Sequence, residues 1–487
     1  MNFRIYFVQT CIIVTFTTYL LLFSGCQVGP DYVQPEPAMP DVWSERATEG
    51  ITEGRADLQI WWQYLNDPVL NSLIERAGEG NLNLQAAASR IRQSRAILGI
   101  ASGEYLPWVD ATGYYSRSRV SENGILAPFF NNTSPDRTSM HSIGVDATWE
   151  IDVFGRISRS VESAQASYQA SLESYRDVLV ILYAEVALNY IELRALQTRI
   201  EYAVNNTEVQ KNTLKLTKNR QEAGLSPDLD VQQALLNLAN TESVVPLLRT
   251  QRTLALNRLS VLLGQPPGQL EKELLMSTSV PNIPEELIVG LPAELLRQRP
   301  DIRRAERNLA ARSAQIGVAT AGLYPFFSLS GTFALEARDI EDVGDWDSRT
   351  WGFGPAFRWN IFDGNRIRSS IQLEEARMEE AMIQYEQTIL LALEEVEDAM
   401  VAFQEEKTRL EALERSVAAA QKSVELVREL YTNGLTDFQN VLDMERALTR
   451  QQDSMAESRG LVFQNLIRLY KALGGGWSAE LHGENVQ

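Results

Sequence analysis

His141-Ser-Ile-Gly-Val-Asp-Ala-Thr-Trp-Glu-Ile-Asp-Val153 alternates almost without a break. Ile143, Val145, Ala147, Trp149, Ile151 and Val153 fall on one face, and Ser142, Asp146, Thr148, Glu150 and Asp152 on the other. A period of two sends successive side chains to opposite sides of a strand, so this segment parts an apolar medium from a polar one. Directly beyond it, Arg156 to Ala223 contains neither glycine nor proline. At about 1.5 Å per residue an unbroken helix there reaches roughly 100 Å. A two-faced strand feeding so long a helix decides the fold.

The same junction is written twice. Asn81 to Pro107 runs parallel to Arg299 to Pro325 without a gap: Leu84 matches Ile302, Ala87 matches Ala305, Gly99 matches Gly317. Val153-Phe-Gly155 answers Ile361-Phe-Asp-Gly364, and Gly224-Leu-Ser226 answers Gly434-Leu-Thr436. Asn365 to Asn433 is a second run free of glycine and proline. Each half therefore reads as a helix (66–103, 292–321), two strands (about 105–117 and 141–153; about 327–338 and 350–362), a very long helix and a return helix. This is a duplication and not a solenoid, whose repeats are far shorter. At each reversal glycine suits the left-handed position after a helix. Ser226 then caps with Pro227 at the first helical position, and Thr436 with Gln439 is placed as a capping box.

The expected divisions are a signal peptide at 1–25, an extended acylated segment at 26–60, a first repeat at 61–275, a second at 276–475, and a tail at 476–487. Cys11 to Phe23 is mostly apolar and leads into Leu22-Phe23-Ser24-Gly25-Cys26. Small residues before a cysteine fit lipoprotein processing, with Cys26 as the acylated mature N-terminus. The mature chain then keeps one cysteine and forms no internal disulfide. The formal charge of −19 argues against nucleic acid, and two histidines leave little for metal or acid–base chemistry. No constellation of nucleophile, base and metal ligands is present, so an enzyme is not expected. No metal, nucleotide or prosthetic group is implied.

Strands of about a dozen residues suit a tilted membrane crossing, which needs roughly 9–11. In lipid every backbone polar group must be paired, and four strands alone leave two open edges. Further copies must supply the missing neighbours. Two give eight strands, whose interior side chains fill, and three give twelve, the smallest total that leaves a passage. The fold class is mainly α with a small β part: long helical hairpins forming a tube, and four strands per chain in a twelve-stranded trimeric barrel. A lipid-anchored coiled-coil spacer of the envelope would explain the hairpins but not the alternating strands.

The chain resembles the TolC-like outer-membrane efflux proteins of the NodT-type lipoprotein branch. The carrying residues are Cys26-Gln-Val-Gly-Pro-Asp-Tyr32, Trp61-Trp62 with Asp67-Pro68, Trp149 to Gly155, Arg297-Gln-Arg-Pro-Asp-Ile302 with Ala305-Glu306, and Phe362-Asp-Gly364. The resemblance implies an outer-membrane exit duct: a homotrimer, lipid-anchored, with a periplasmic tube that docks an adaptor protein fed by a proton-driven inner-membrane pump. It implies that the adaptor meets the turns Gly224-Leu225-Ser226 and Gly434-Leu435-Thr436. It also implies aspartates inside a constriction just past the second turn. Asp443 matches one such position, a second reads Asn440 here, and Asp437 is its substitute; Asp228 and Asp230 hold the equivalent place in the first half. Rings of one aspartate near an axis attract cations and repel anions. The acidic run from Glu374 to Asp398 is read as a solvated helix face. The cargo is not legible.

Overall fold

The computed structural model describes residues 27–40, 43, 51–53, 58–119, 121, 137–275, 287–289 and 295–478. The signal segment and Cys26 lie outside the described residues. In chain order the elements begin with strand β1 (Ile51–Glu53), a 3-10 segment (Leu58–Leu65), helices α1 (Pro68–Gly80) and α2 (Leu82–Gly103), and strands β2 (Trp108–Ser118) and β3 (Thr138–Ile151). Helices α3 (Arg156–Glu222), α4 (Asp228–Leu262) and α5 (Glu271–Leu274) follow, then β4 (Leu287–Val289), α6 (Leu295–Gln298) and α7 (Pro300–Ala321). Strands β5 (Phe326–Ala337) and β6 (Arg349–Arg358) and helices α8 (Arg366–Thr432) and α9 (Phe438–Ala472) complete the order. The repeat is visible in the lengths: α3 and α8 have 67 residues each, α4 and α9 have 35 each. No described helix is long and apolar enough to cross a membrane.

The chain divides into two compact units, each gathering pieces of both halves. The first holds a four-stranded antiparallel sheet in the order β2-β3-β5-β6. Its register sets Val109 opposite Ala147 and Val145 opposite Phe333, and Phe333 opposite Trp351, so the apolar residues share one face. Asp110 lies opposite Asp146, and Asp146 opposite Thr332, on the other face. The alternation expected from sequence is therefore the alternation found. Strands β3 and β6 are each followed by a carboxylate that caps the next helix. Val153 leaves β3 because Asp152 turns inward to cap α3, accepting from the Ile157 and Ser158 amides at 3.0 and 2.8 Å. Asp363 does the same for α8, accepting from Ile367 N at 2.7 Å. Strand β6 ends at Arg358, four residues short of expectation. There Trp359 points its indole N–H at Leu323 O, 3.0 Å away, as Trp149 does at Tyr105 O, 2.9 Å away.

The second unit contains the parallel pair β1–β4 and the hairpin-forming parts of the long helices. Its core includes Trp61, Tyr190, Leu193, Phe463 and Leu466, all almost fully buried. Trp61 stacks on Tyr470 at 5.3 Å and Trp62 meets the edge of Tyr183 at 4.9 Å. Asp67 caps α1, accepting from Val69 N at 2.9 Å, with Pro68 at the first helical position, and it also accepts from Tyr190 Oη at 2.5 Å. The single helix expected at 66–103 is broken at Asn81, and its counterpart at 292–321 is broken at Arg299. Both residues serve as caps, for the following helix or for a return helix. Asn81 accepts from Leu84 N at 3.0 Å and donates to Leu262 O at 2.8 Å, and Arg299 donates to Ala472 O at 2.8 Å.

Candidate functional site

At both reversals the helix ends in the same six-residue arrangement. Gly224, with φ +71°, donates to Gln221 O at 2.9 Å while Leu225 N reaches Arg220 O at 2.8 Å. Gly434, with φ +73°, donates to Tyr431 O at 3.0 Å while Leu435 N reaches Leu430 O at 2.8 Å. Any residue with a Cβ is strained there. The turn leaves Leu225 66 % and Leu435 73 % exposed, apolar side chains with no reason from packing to be there. The caps differ from expectation by one residue. Pro227 and Asp437, not Ser226 and Thr436, are the N-cap residues, both extended and neither making a side-chain cap bond. No capping box forms: Thr436 accepts from Asn440 Nδ2 at 2.8 Å, and Gln439 donates to Asp443 at 3.0 Å.

Ser226 is free of capping because it has another partner. Its hydroxyl lies 3.1 Å from Tyr431 Oη, joining the two turns. Arg220 lies over the Tyr431 ring at 4.7 Å and donates to Thr432 O at 3.2 Å. Beneath them Leu214, Val231, Leu238, Val427, Phe438 and Val441 pack into one apolar cluster shared by four helices. Sequence reasoning missed Arg220 and Tyr431; the only trace of Tyr431 was an aromatic residue one turn before Gly434.

The aspartates divide. Asp437 and Asp230 are brought together. Burial pushes the Asp230 carboxyl up, the Asp437 charge adds to it, and Arg220 and the Ser226 hydroxyl oppose both. Asp443 and Asp228 are exposed. Asn440 holds the position where a second aspartate was looked for.

A separate arrangement in the first unit anchors the segment that follows Cys26. Arg159, 2 % exposed, donates to Val28 O at 3.2 Å and pairs with Asp31 at 2.7 Å. Gly29 crosses Gly317 so closely that a Cβ on Gly29 would sit 2.4 Å from Gly317 Cα. Gly155 gives way to Gln27 in the same manner, and Tyr32 Oη donates to Glu306. Thus two separated motifs, the one at 26–32 and the Glu306 that follows the Arg-Pro-Asp run, are partners.

The family model of "outer membrane efflux protein" matches residues 73–265 and 291–475. The chain belongs to this family. It is 32 % identical to Nodulation protein T of Rhizobium leguminosarum bv. trifolii, over 94 % of this chain and 96 % of that one. It is 31 % identical to the solvent efflux pump outer membrane protein SrpC of Pseudomonas putida, over 94 % and 97 %. Among solved structures it resembles the outer-membrane channel OprN, with a TM-score of 0.87 and 34 % identity over 93 % of this chain and 100 % of that one. It also resembles CusC, with a TM-score of 0.79 and 27 % identity over 93 % and 100 %. The protein is an outer-membrane channel component of an efflux system, and its relatives are channels and not enzymes.

Proposed function

We propose that this chain assembles as a homotrimer whose twelve strands close a barrel and whose long helices form a periplasmic duct, with Cys26 carrying the lipid anchor. The observation that supports it is the pairing of the sheet: among the described residues β2 and β6 each have a neighbour on one side only, while Val109, Ile143, Trp351, Phe353 and Phe357 are exposed on the apolar face. An open edge and a bare apolar face are both intolerable until lipid and other copies cover them. The halves 61–275 and 276–475 are read as duplicated repeats of one ancestral unit.

In this reading Gly224-Leu225-Ser226 and Gly434-Leu435-Thr436 dock the adaptor, which connects to a proton-driven inner-membrane pump. Exposed Leu225 and Leu435 offer the apolar contacts, and the glycines give the turns their shape. Asp437 and Asp443 line the constriction, with Asp230 beside Asp437, and favour cations over anions. Relatives are named for solvents and for cations, so cargo is set outside the duct. The chain acts as a conduit and catalyses nothing.

The test is Leu435→Asp in the full-length protein, which leaves the fold and the turn geometry alone. Export falls at least tenfold and cross-linking to the adaptor is lost, while the heat-resistant trimer persists on unboiled gels. Undiminished export by this variant sinks the docking assignment; a heat-labile single chain from the parent protein sinks the trimer.

A further inference from the structure

Away from the turns, the packing of α3 against α9 becomes polar: Asn206 donates to Gln452 at 2.8 Å, and Thr213 to Glu445 at 2.6 Å. Beside this seam a cavity of about 430 Å³ opens among α3, α4 and α9. Three arginines line it, Arg199, Arg446 and Arg450, against one carboxylate, Asp453. Arg199 takes that carboxylate in a fork, at 2.7 and 3.0 Å. Among the described residues Arg446 and Arg450 have no carboxylate partner, a local positive surplus in a chain of formal charge −19.

The amides in the wall sharpen the chemistry. Arg446 Nε donates to Asn237 Oδ1 at 3.1 Å. A guanidinium only donates, so this bond fixes which way the Asn237 amide points and leaves Nδ2 as the orphan. Asn237 is 4 % exposed, and its Nδ2 has no partner. Gln210, 2 % exposed, likewise leaves Oε1 without a donor. Buried polar groups are paired in folded proteins almost without exception. What is missing is a compact group rich in acceptor oxygens, negatively charged, with one hydroxyl for Gln210.

We propose that this cavity binds a small oxyanion, a hydrogen phosphate or a hydroxycarboxylate, held by Arg446, Arg450 and the Asn237 amide. Its volume falls within the range of small-molecule sites. The bound anion bridges α4 and α9 next to the Arg199–Asp453 pair that ties α3 to α9, so it braces three helices at once. The same oxygen chemistry has a second source, a carboxylate from another copy of the chain. The site stands whether or not the turns dock an adaptor.

Inorganic phosphate titrated calorimetrically into the full-length assembled protein, at constant ionic strength with chloride as control, is the direct measurement. A saturable phosphate site is expected in the parent, weakened at least tenfold in Arg450→Gln and in Arg446→Gln and unchanged in Arg409→Gln, which lies outside the cavity. Arg450 is exposed at the mouth, so its variant keeps the fold, checked by circular dichroism. No saturable heat above chloride, or parental affinity in both cavity variants, overturns the site. Absence of phosphate binding together with a less heat-resistant assembly in Arg450→Gln assigns the arginines to another copy's carboxylate, and also overturns it.

Discussion

Asn81 and Arg299 stand at the same point of the two halves, and each donates to the carbonyl that closes a return helix: Asn81 to Leu262 O and Arg299 to Ala472 O, both at 2.8 Å. The glycines beside them repeat the relationship, for a Cβ on Gly264 would lie 2.1 Å from Gly80 O and one on Gly474 would lie 3.0 Å from Gln298 O. A neutral amide and a guanidinium have kept one structural task. The guanidinium added ion pairs to Asp301 at 2.6 Å and Glu395 at 2.8 Å.

The two caps differ in what they leave behind when removed. Arg299→Ala strands the half-buried Asp301 charge and is expected to destabilise by about 3 kcal/mol, the scale for breaking a buried pair from one side. Asn81→Ala loses a cap and a buried bond, about 1–2 kcal/mol. The dissociation temperatures of the two variant assemblies should fall in that order; the reverse order refutes the assignment.

Acid should weaken the same place. Burial alone would push Asp301 up, but two bonds from Arg299 hold it below the usual carboxylate range. A depressed pKa lends stability that is complete above the unfolded value, about 3.9, and disappears as pH falls through the folded one. Heat resistance of the parent should therefore drop on acidification below about pH 4 more steeply than that of Asp301→Asn. Parallel curves for the two would exclude Asp301 as the source.

At the turns, Tyr431→Phe deletes the Ser226 contact and keeps the ring under Arg220. One neutral hydrogen bond is worth about 1 kcal/mol, so the assembly should lose about that much stability, read as a lower dissociation temperature. An unaltered temperature would mean that the Ser226 contact holds nothing.

The segment after Cys26 offers a two-part comparison. Cys26→Ser should leave assembly intact and reduce membrane retention. Gly29→Val should collide with Gly317 and unseat residues 27–32, seen as faster proteolysis there with retention preserved. Full retention of Cys26→Ser would mean that lipid is not the anchor.

Much of this was legible beforehand because it is local. The strand faces follow from a period of two, the long helices from the absence of breakers, and the reversals from Gly224 and Gly434. The breaks at Asn81 and Arg299 were not, since helical pattern continues through both. What interrupts it is a bond to a return helix far along the chain. Pro300 did carry a signal, as a first-turn proline, that was available for the second break. The shift of the first cap has the same origin: Ser226 is claimed by Tyr431, a tertiary partner invisible to any local rule, whereas Thr436 is taken locally by Asn440. Arg159 carried no sequence signal at all.

The margins of β2 and β6, unpaired among the described residues, have a genetic consequence. If three chains must complete one another, a chain with a spoiled margin does not simply fail; it is recruited and ruins its companions. Co-expressed in equal amounts with a healthy allele, it would leave only about one assembly in eight intact, so such lesions should behave as dominant poisons.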